Sequence, residues 1–175
     1  MTYNIIVAID LNYGIGYKNG IPWYIPDDLK RFSKLTRGSG NNAIIMGRKT
    51  WDSLPNGVLE KRDNLILSKS LCDEYLNLNG DLVKTFNSID DIINFCNKNM
   101  KYEQVWIIGG EEIYRQFLDK NIVDYVYMTR IQKFYNCDTK FPDSMMWWTC
   151  IQSGEETTND GIKLLYNIYT KKKGN

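Results

Sequence analysis

Val105-Trp106-Ile107-Ile108-Gly109-Gly110-Glu111-Glu112-Ile113-Tyr114-Arg115-Gln116-Phe117-Leu118 reads as a short apolar strand, Val105 to Ile108, broken by two glycines and followed by a helix from Glu111 to Leu118. A strand that passes through glycine into a helix is the repeating unit of an α/β sheet. The same reading extends outward. Tyr3 to Ile9 is an apolar, β-branched strand, followed by a Gly-rich loop through Pro26 and a helix from Asp27 to Thr36. Ala43 to Met46 is a second buried strand that opens at Gly47 into the basic helical turn Arg48-Lys49-Thr50-Trp51, and Leu65 to Leu67 is a third that ends in Ser68-Lys69-Ser70. A helix runs from Ser88 to Asn97, with Ser88 and Asp91 spaced as a loose capping box. The C-terminal part differs: Val123 to Ile131, Trp147 to Ser153 and Ile162 to Thr170 are strands in succession, with Gly161 in the last turn. Parallel units followed by antiparallel strands imply one mixed sheet flanked by helices.

Composition narrows the function classes. The chain has 175 residues, 43% hydrophobic and 13% aromatic, which suits one domain, 1–175, with a sizeable core. Its 22 basic and 21 acidic side chains nearly cancel, and the short tail Lys171-Lys172-Lys173 is the one strongly one-signed tract, so no nucleic-acid surface is expected. No stretch approaches the roughly 18 apolar residues of a membrane span, and the N-terminus lacks a basic segment ahead of a long apolar run. A soluble, cytoplasmic protein is expected. Cys72, Cys96, Cys137 and Cys150 are widely spaced without a Cys-x-x-Cys pair, so no metal site is expected and four free thiols are. The chain contains no histidine. That removes Ser-His-Asp and Cys-His machinery and the imidazole base, and leaves acid–base work to carboxylates, tyrosine, lysine or water.

Within the helix that follows Pro26, Leu29, Phe32 and Leu35 define an apolar stripe. At roughly 100° per residue, Asp28 lies about 40° from its centre and Asp27 about 140° away. Asp28 is therefore read as buried and Asp27 as solvated or capping. The plainer reading is that both acids serve the helix N-terminus. Trp23, just upstream, brings an indole N–H that needs a partner when buried and is suited to holding a water near the carboxylate.

The strand ends Gly47-Arg48-Lys49-Thr50, Gly109-Gly110 and Ser68-Lys69-Ser70 offer backbone N–H donors, hydroxyls and charge, the means by which such sheets hold nucleotides. Arg48 and Lys69 suit a phosphate monoester beyond a pyrophosphate; ordinary turn chemistry and solvated charge is the alternative. Gly14-Ile15-Gly16-Tyr17-Lys18-Asn19-Gly20 has one residue too many between its second and third glycines for the dinucleotide fingerprint and does not lead directly into a helix. It reads instead as a lid over a flat ligand.

Ile6-Val7-Ala8, Gly14-Ile15-Gly16, Ile21-Pro22-Trp23, Asp28, Ile45-Met46-Gly47-Arg48-Lys49-Thr50-Trp51, Arg62, Leu67-Ser68, Trp106-Ile107-Ile108-Gly109-Gly110, Ile113-Tyr114, Thr129-Arg130 and Asp138-Thr139-Lys140-Phe141-Pro142 together resemble the dihydrofolate reductase family in order and spacing, over nearly the whole chain. The resemblance implies an α/β, three-layer fold with a central eight-stranded sheet, mostly parallel with an antiparallel C-terminal edge. It implies hydride transfer from NADPH to the pterin ring of dihydrofolate, giving tetrahydrofolate for thymidylate, purine and one-carbon metabolism. Antifolate inhibitors would bind the same site, and a monomer is expected.

Asp28 matches the family's essential carboxylate, supported by Thr129, with Trp23 and Tyr114 completing the expected catalytic set. Ile6, Val7, Leu29, Phe32, Leu54, Leu59 and Ile108 resemble the walls around the pterin and benzoyl rings, and Arg62 the arginine that pairs with the substrate's glutamate tail. Ala8, Ile15, Gly16 and Gly20 resemble nicotinamide-side contacts. Gly47, Arg48, Lys49, Thr50, Leu67, Ser68 and Lys69 resemble cofactor contacts after the second and third strands, with Ser68 and Lys69 near a 2′-phosphate. Gly110, Glu111, Glu112 and Ile113 lie near the pyrophosphate in that resemblance, and Tyr114 borders both ligands.

Two departures stand out. Glu111 puts an acid where a small residue is common, so its side chain must turn away or weaken binding, and Leu71 to Asp81 matches poorly. A related reductase acting on a pyrimidine, and a pterin- or nucleotide-binding module without turnover, are the rival readings.

Overall fold

The computed structural model describes residues 1–143 and 145–172. Lys173 of the basic tail lies outside them. The strands read from the sequence appear as β1 (Thr2–Ile9), β3 (Asn42–Gly47), β4 (Asp63–Leu67), β7 (Gln104–Gly109), β8 (Tyr125–Ile131), β10 (Trp148–Thr157) and β11 (Lys163–Lys171). The helices are α1 (Pro26–Arg37), α2 (Arg48–Asp52), α3 (Ile89–Lys98) and α4 (Glu111–Asp119). Ser88 caps α3 by accepting from the Asp91 N–H at 3.1 Å, as the capping pattern anticipates.

With β5 (Glu74–Leu76) and β6 (Leu82–Phe86), the main sheet has nine strands among the described residues rather than eight, in the order β10-β11-β8-β1-β7-β3-β4-β6-β5. The additional strand is β5, an exposed edge strand that pairs antiparallel with β6. Strands β8, β1, β7, β3, β4 and β6 are mutually parallel, and β11 and β10 add the antiparallel C-terminal edge. A separate pair, β2 (Gly14–Gly16) and β9 (Thr139–Lys140), lies in the loop region.

The central strands carry continuous apolar runs, interrupted near their starts by Asn4, Asn42 and Asn64, because both faces of the sheet are covered and successive side chains alternate between the covers. On one face Val7, Ile45, Leu65, Ile107 and Val126 pack with α3 and α4. On the other, Ile6, Ile44, Ile66 and Trp106 pack with Phe32 and Leu35 of α1 and Trp51 of α2. A third cluster, Ile25, Ile131 and Leu164, seats Trp23, Tyr135 and Tyr166 beside the start of α1.

The parallel register brings the chemistry-bearing ends of three strands together. Gly47 pairs with Leu67, and Met46 pairs with Gly109 after a register shift at Ile108. Arg48, Ser68 and Gly110 therefore leave the sheet side by side. Gly109 has φ +121°, and a Cβ there would sit 3.2 Å from the Tyr114 hydroxyl, so a side chain meets both backbone strain and a buried ring.

Ile45 is fully buried in a central strand and Leu78 is fully exposed. Ile45→Ala is expected to cost about 3 kcal/mol of stability, and Leu78→Ser less than about 0.5 kcal/mol. Equilibrium urea unfolding measures both, and equal effects would contradict this assignment of core and surface.

Candidate active site

Asp28 lies in the first turn of α1, where Pro26 starts the helix with its φ already set. Its Oδ1 accepts a hydrogen bond from Thr129 Oγ1 at 2.6 Å. Thr129 is a buried residue of β8, 3% exposed, so the pair joins helix to sheet across the apolar seam. Burial pushes the Asp28 carboxyl above the usual carboxylate range, while the Thr129 hydrogen bond and the charge of Arg31 draw it back down. No side chain caps α1. Both Asp27 and Asp28 lie in the first turn, where the helix dipole favours an acid, and the Thr129 bond is what sets Asp28 apart.

Around this carboxylate the structure gathers most of the expected apolar wall. Ile6, Phe32, Leu54, Leu59 and Ile108 share one cluster. Leu29 is 48% exposed at its rim. Val7 departs from the expectation: the strand alternation turns its side chain to the opposite face, into the α3/α4 core. Trp23 and Ala8 pack in the third cluster, where the Trp23 ring meets Tyr135 at 5.1 Å between centroids.

The Tyr114 hydroxyl donates to the Ile6 carbonyl at 2.9 Å, and its ring packs on Phe141. Burial drives the phenol's proton affinity far above its ordinary value. Tyr114 thus supports the strand that carries Ile6, and its proton is already committed to that carbonyl.

Arg62 is buried, donating from Nε to the Glu60 carbonyl at 2.9 Å and from one terminal nitrogen to Thr36 Oγ1 at 2.8 Å. Burial and the neighbouring Arg37 charge lower it to about 10. A guanidinium so held keeps a further N–H face for an incoming carboxylate.

At the aligned strand ends, Lys49 and Lys69 are exposed and Ser68 is buried. Arg48 binds Asp52 at 2.9 Å and reaches Ser70 Oγ at 3.4 Å. The start of α4 carries no side-chain cap, which leaves its first N–H groups for a ligand. Of the two outcomes open to Glu111, its contacts favour turning away: its Oε1 accepts from Arg115 at 2.9 Å and its Oε2 lies 3.5 Å from the Lys140 N–H. Glu112 is exposed, and Ile113 is buried against the Gly47 backbone. These donors and cations fit a nucleotide phosphate.

The Gly-rich segment is folded over this region. Ile15 packs against the main core, a Cβ on Gly16 would lie 2.7 Å from Thr139 Oγ1, and Gly20 bonds back to Tyr17. Asn19 lines a groove with Lys49, Asp52 and Ser53, and Thr50 approaches Gly110. Asp10 was missed by the sequence reading. It is 2% exposed and accepts from the N–H groups of Asn12, Gly14 and Tyr135, at 2.8, 2.8 and 3.0 Å, so it pins the loop base. The Asp-x-Asn-x-Gly spacing, typical of a side-chain-closed turn, was the available signal.

A family model described as dihydrofolate reductase matches residues 2–172. The chain belongs to the dihydrofolate reductase family. It is 31% identical over 179 residues to a dihydrofolate reductase of Heliothis virescens, covering 96% of both chains. It is 36% identical over 181 residues to a viral dihydrofolate reductase of Saimiriine herpesvirus 2 (strain 488), covering 96% of this chain and 84% of that one. It is also 31% identical over 188 residues to bifunctional dihydrofolate reductase-thymidylate synthase 1 of Arabidopsis thaliana, covering 98% of this chain and 35% of that protein. Membership of this family makes the chain an oxidoreductase.

A carboxyl raised by burial destabilises the fold when ionised. The penalty is fully present above its folded pKa and disappears as pH falls to the unfolded value. Asp28→Asn is therefore expected to unfold at a higher temperature than the parent at pH 7, with the gap closing as pH falls. A less stable variant at pH 7 would contradict the buried assignment.

Proposed function

We propose that this chain reduces 7,8-dihydrofolate to 5,6,7,8-tetrahydrofolate with NADPH, acting as a cytoplasmic monomer. The observation that carries the reading is a desolvated carboxylate, Asp28, steadied by Thr129 inside an apolar, aromatic-lined cleft. A flat heterocycle with an amino group beside a ring nitrogen presents two donors to such a carboxylate, and the pairing favours the heterocycle's protonated form. Reduction also needs a proton on the nitrogen of the C=N bond, a ring atom other than the one that faces Asp28, and that protonation makes the adjoining carbon a better hydride acceptor. NADPH, when bound, supplies the hydride.

Every other part of the proposal falls to residues of this chain. Asp28 orients the pterin and holds positive charge on it. Trp23, whose ring is braced by Tyr135, shapes a passage for the water that delivers the proton, because no histidine is present to do so. Ile6, Phe32, Leu54, Leu59 and Ile108 exclude other water from the rings. Arg62 holds the carboxylate of the glutamate tail. Arg48, Ser68 and Lys69 favour a cofactor with a 2′-phosphate, and the free start of α4 suits its pyrophosphate. The four thiols are free, as suits a reducing compartment.

The test is NADPH consumption by the purified chain with dihydrofolate, beside NADH, beside Asp28→Asn, and beside Arg62→Leu. The expected result is turnover that prefers NADPH, a loss of about 100-fold or more in Asp28→Asn at neutral pH, and a KM for dihydrofolate raised about tenfold or more in Arg62→Leu. Binding of NADPH without turnover in the folded parent chain would establish the binding-module reading instead.

A further inference from the structure

Arg31 lies one helical turn after Asp28 on α1. Its guanidinium carbon stands 4.6 Å from the centre of the Tyr166 ring, within the range of a cation–π contact. Tyr166 belongs to β11, and the sheet register pairs it with Thr129 of β8, the residue whose hydroxyl donates to Asp28. The Tyr166 hydroxyl in turn donates to Glu156 of β10 at 3.0 Å, which fixes the ring from its far side. The cation is thus anchored to the strand that backs the catalytic pair rather than left to move in solvent.

We propose that Arg31 is a positioning residue for Asp28: laid on the Tyr166 ring, it maintains a fixed positive charge behind the carboxylate and sets the pH range in which the site works. The inference rests on the reading of Asp28 as the pterin's partner. The groups facing the carboxylate are Thr129 of β8, Arg31 of α1 and the Tyr166 phenol of β11. Those facing Arg31 are Asp28, Tyr166 of β11 and Tyr127 of β8, with Glu156 of β10 behind Tyr166. Ile25 and Ala8, which pack nearby, bring no charge.

A fixed cation lowers the proton affinity of every group around it. It opposes the effect of burial on Asp28, drawing the carboxyl's proton affinity back down. It also limits how tightly a bound pterin holds its proton. Removing the charge therefore raises the proton affinity of the carboxyl and of the carboxyl–pterin unit alike. Loss of an ordinary packing side chain has no reason to do either.

The experiment compares Arg31→Met, Arg31→Gln and Arg31→Lys with the parent and with Lys30→Met, a charge lost from an exposed position on the same helix. Carbon-13 NMR follows the Asp28 carboxyl through a pH titration of the full chain, assigned with Asp28→Asn. The pH profile of the hydride step is measured in parallel with deuterated cofactor.

The expected result is an Asp28 midpoint moved upward in Arg31→Met and Arg31→Gln, kept near the parent value in Arg31→Lys and unmoved in Lys30→Met. The rate on the alkaline limb should rise about threefold in the two neutral variants, equivalent to half a unit of profile shift. A folded Arg31→Met or Arg31→Gln protein with the parent's Asp28 midpoint would overturn the proposal. A shifted midpoint together with full turnover in Asp28→Asn would support the Arg31 coupling and overturn only the catalytic reading of Asp28.

Discussion

A carboxylate taken out of water must find donors or charge to stand against its desolvation, and the hydrogen bond from Thr129 to Asp28 is where this fold meets that demand. The bond ties the first turn of α1 to β8, at the boundary between the parallel sheet and its antiparallel edge. Much of the cleft follows from it. With Asp28 held inward, Phe32 and Leu35 fall on the apolar cluster one and two turns further along, and Arg31 is directed to the Tyr166 ring. The site is the seam between a helix and a sheet rather than a cavity scooped from either.

The half built from the strand ends obeys a different constraint. Parallel strands in register end together, so three separate turns in sequence become neighbours at one edge. The uncapped start of α4 and the cations after β3 and β4 then face the same space without contacts tuned between them. Glu111 shows how local charge is managed there: its pairing with Arg115 within α4 keeps an acid away from a region otherwise suited to anions.

Local pattern was enough for much of this. The continuous apolar runs marked the central strands because both sheet faces are covered, and the helical wheel pointed to Asp28, the acid that meets Thr129, although both Asp27 and Asp28 end half-buried. The edge strand β5 was not legible: Glu74-Tyr75-Leu76 is exposed throughout, so it carries no burial pattern. β2 and β9 are too short to show periodicity and exist through pairing over more than a hundred residues. Which of Ile6 and Val7 faces the cleft was not legible, because both directions depend on one strand phase, which a continuous apolar run conceals. Arg31 and Tyr166 lie far apart in sequence, and they meet only through the packing of α1 on β11. Tyr114 is given a role in the chemistry by resemblance, and its bond to the Ile6 carbonyl, which the sequence could not show, braces the strand that carries Ile6.

The central claim is that Asp28 holds a positively charged heterocycle. The most direct test is NMR of a nitrogen-15-labelled 2,4-diaminopyrimidine bound to the chain, with its ring protonation followed across pH beside the Asp28 carboxyl signal. The account predicts a protonated ring paired with an ionised Asp28 well above the pH at which the free ligand loses its proton, and loss of that protonation in Asp28→Asn. A neutral ring bound beside a protonated Asp28, or a ring equally protonated in Asp28→Asn, would contradict it.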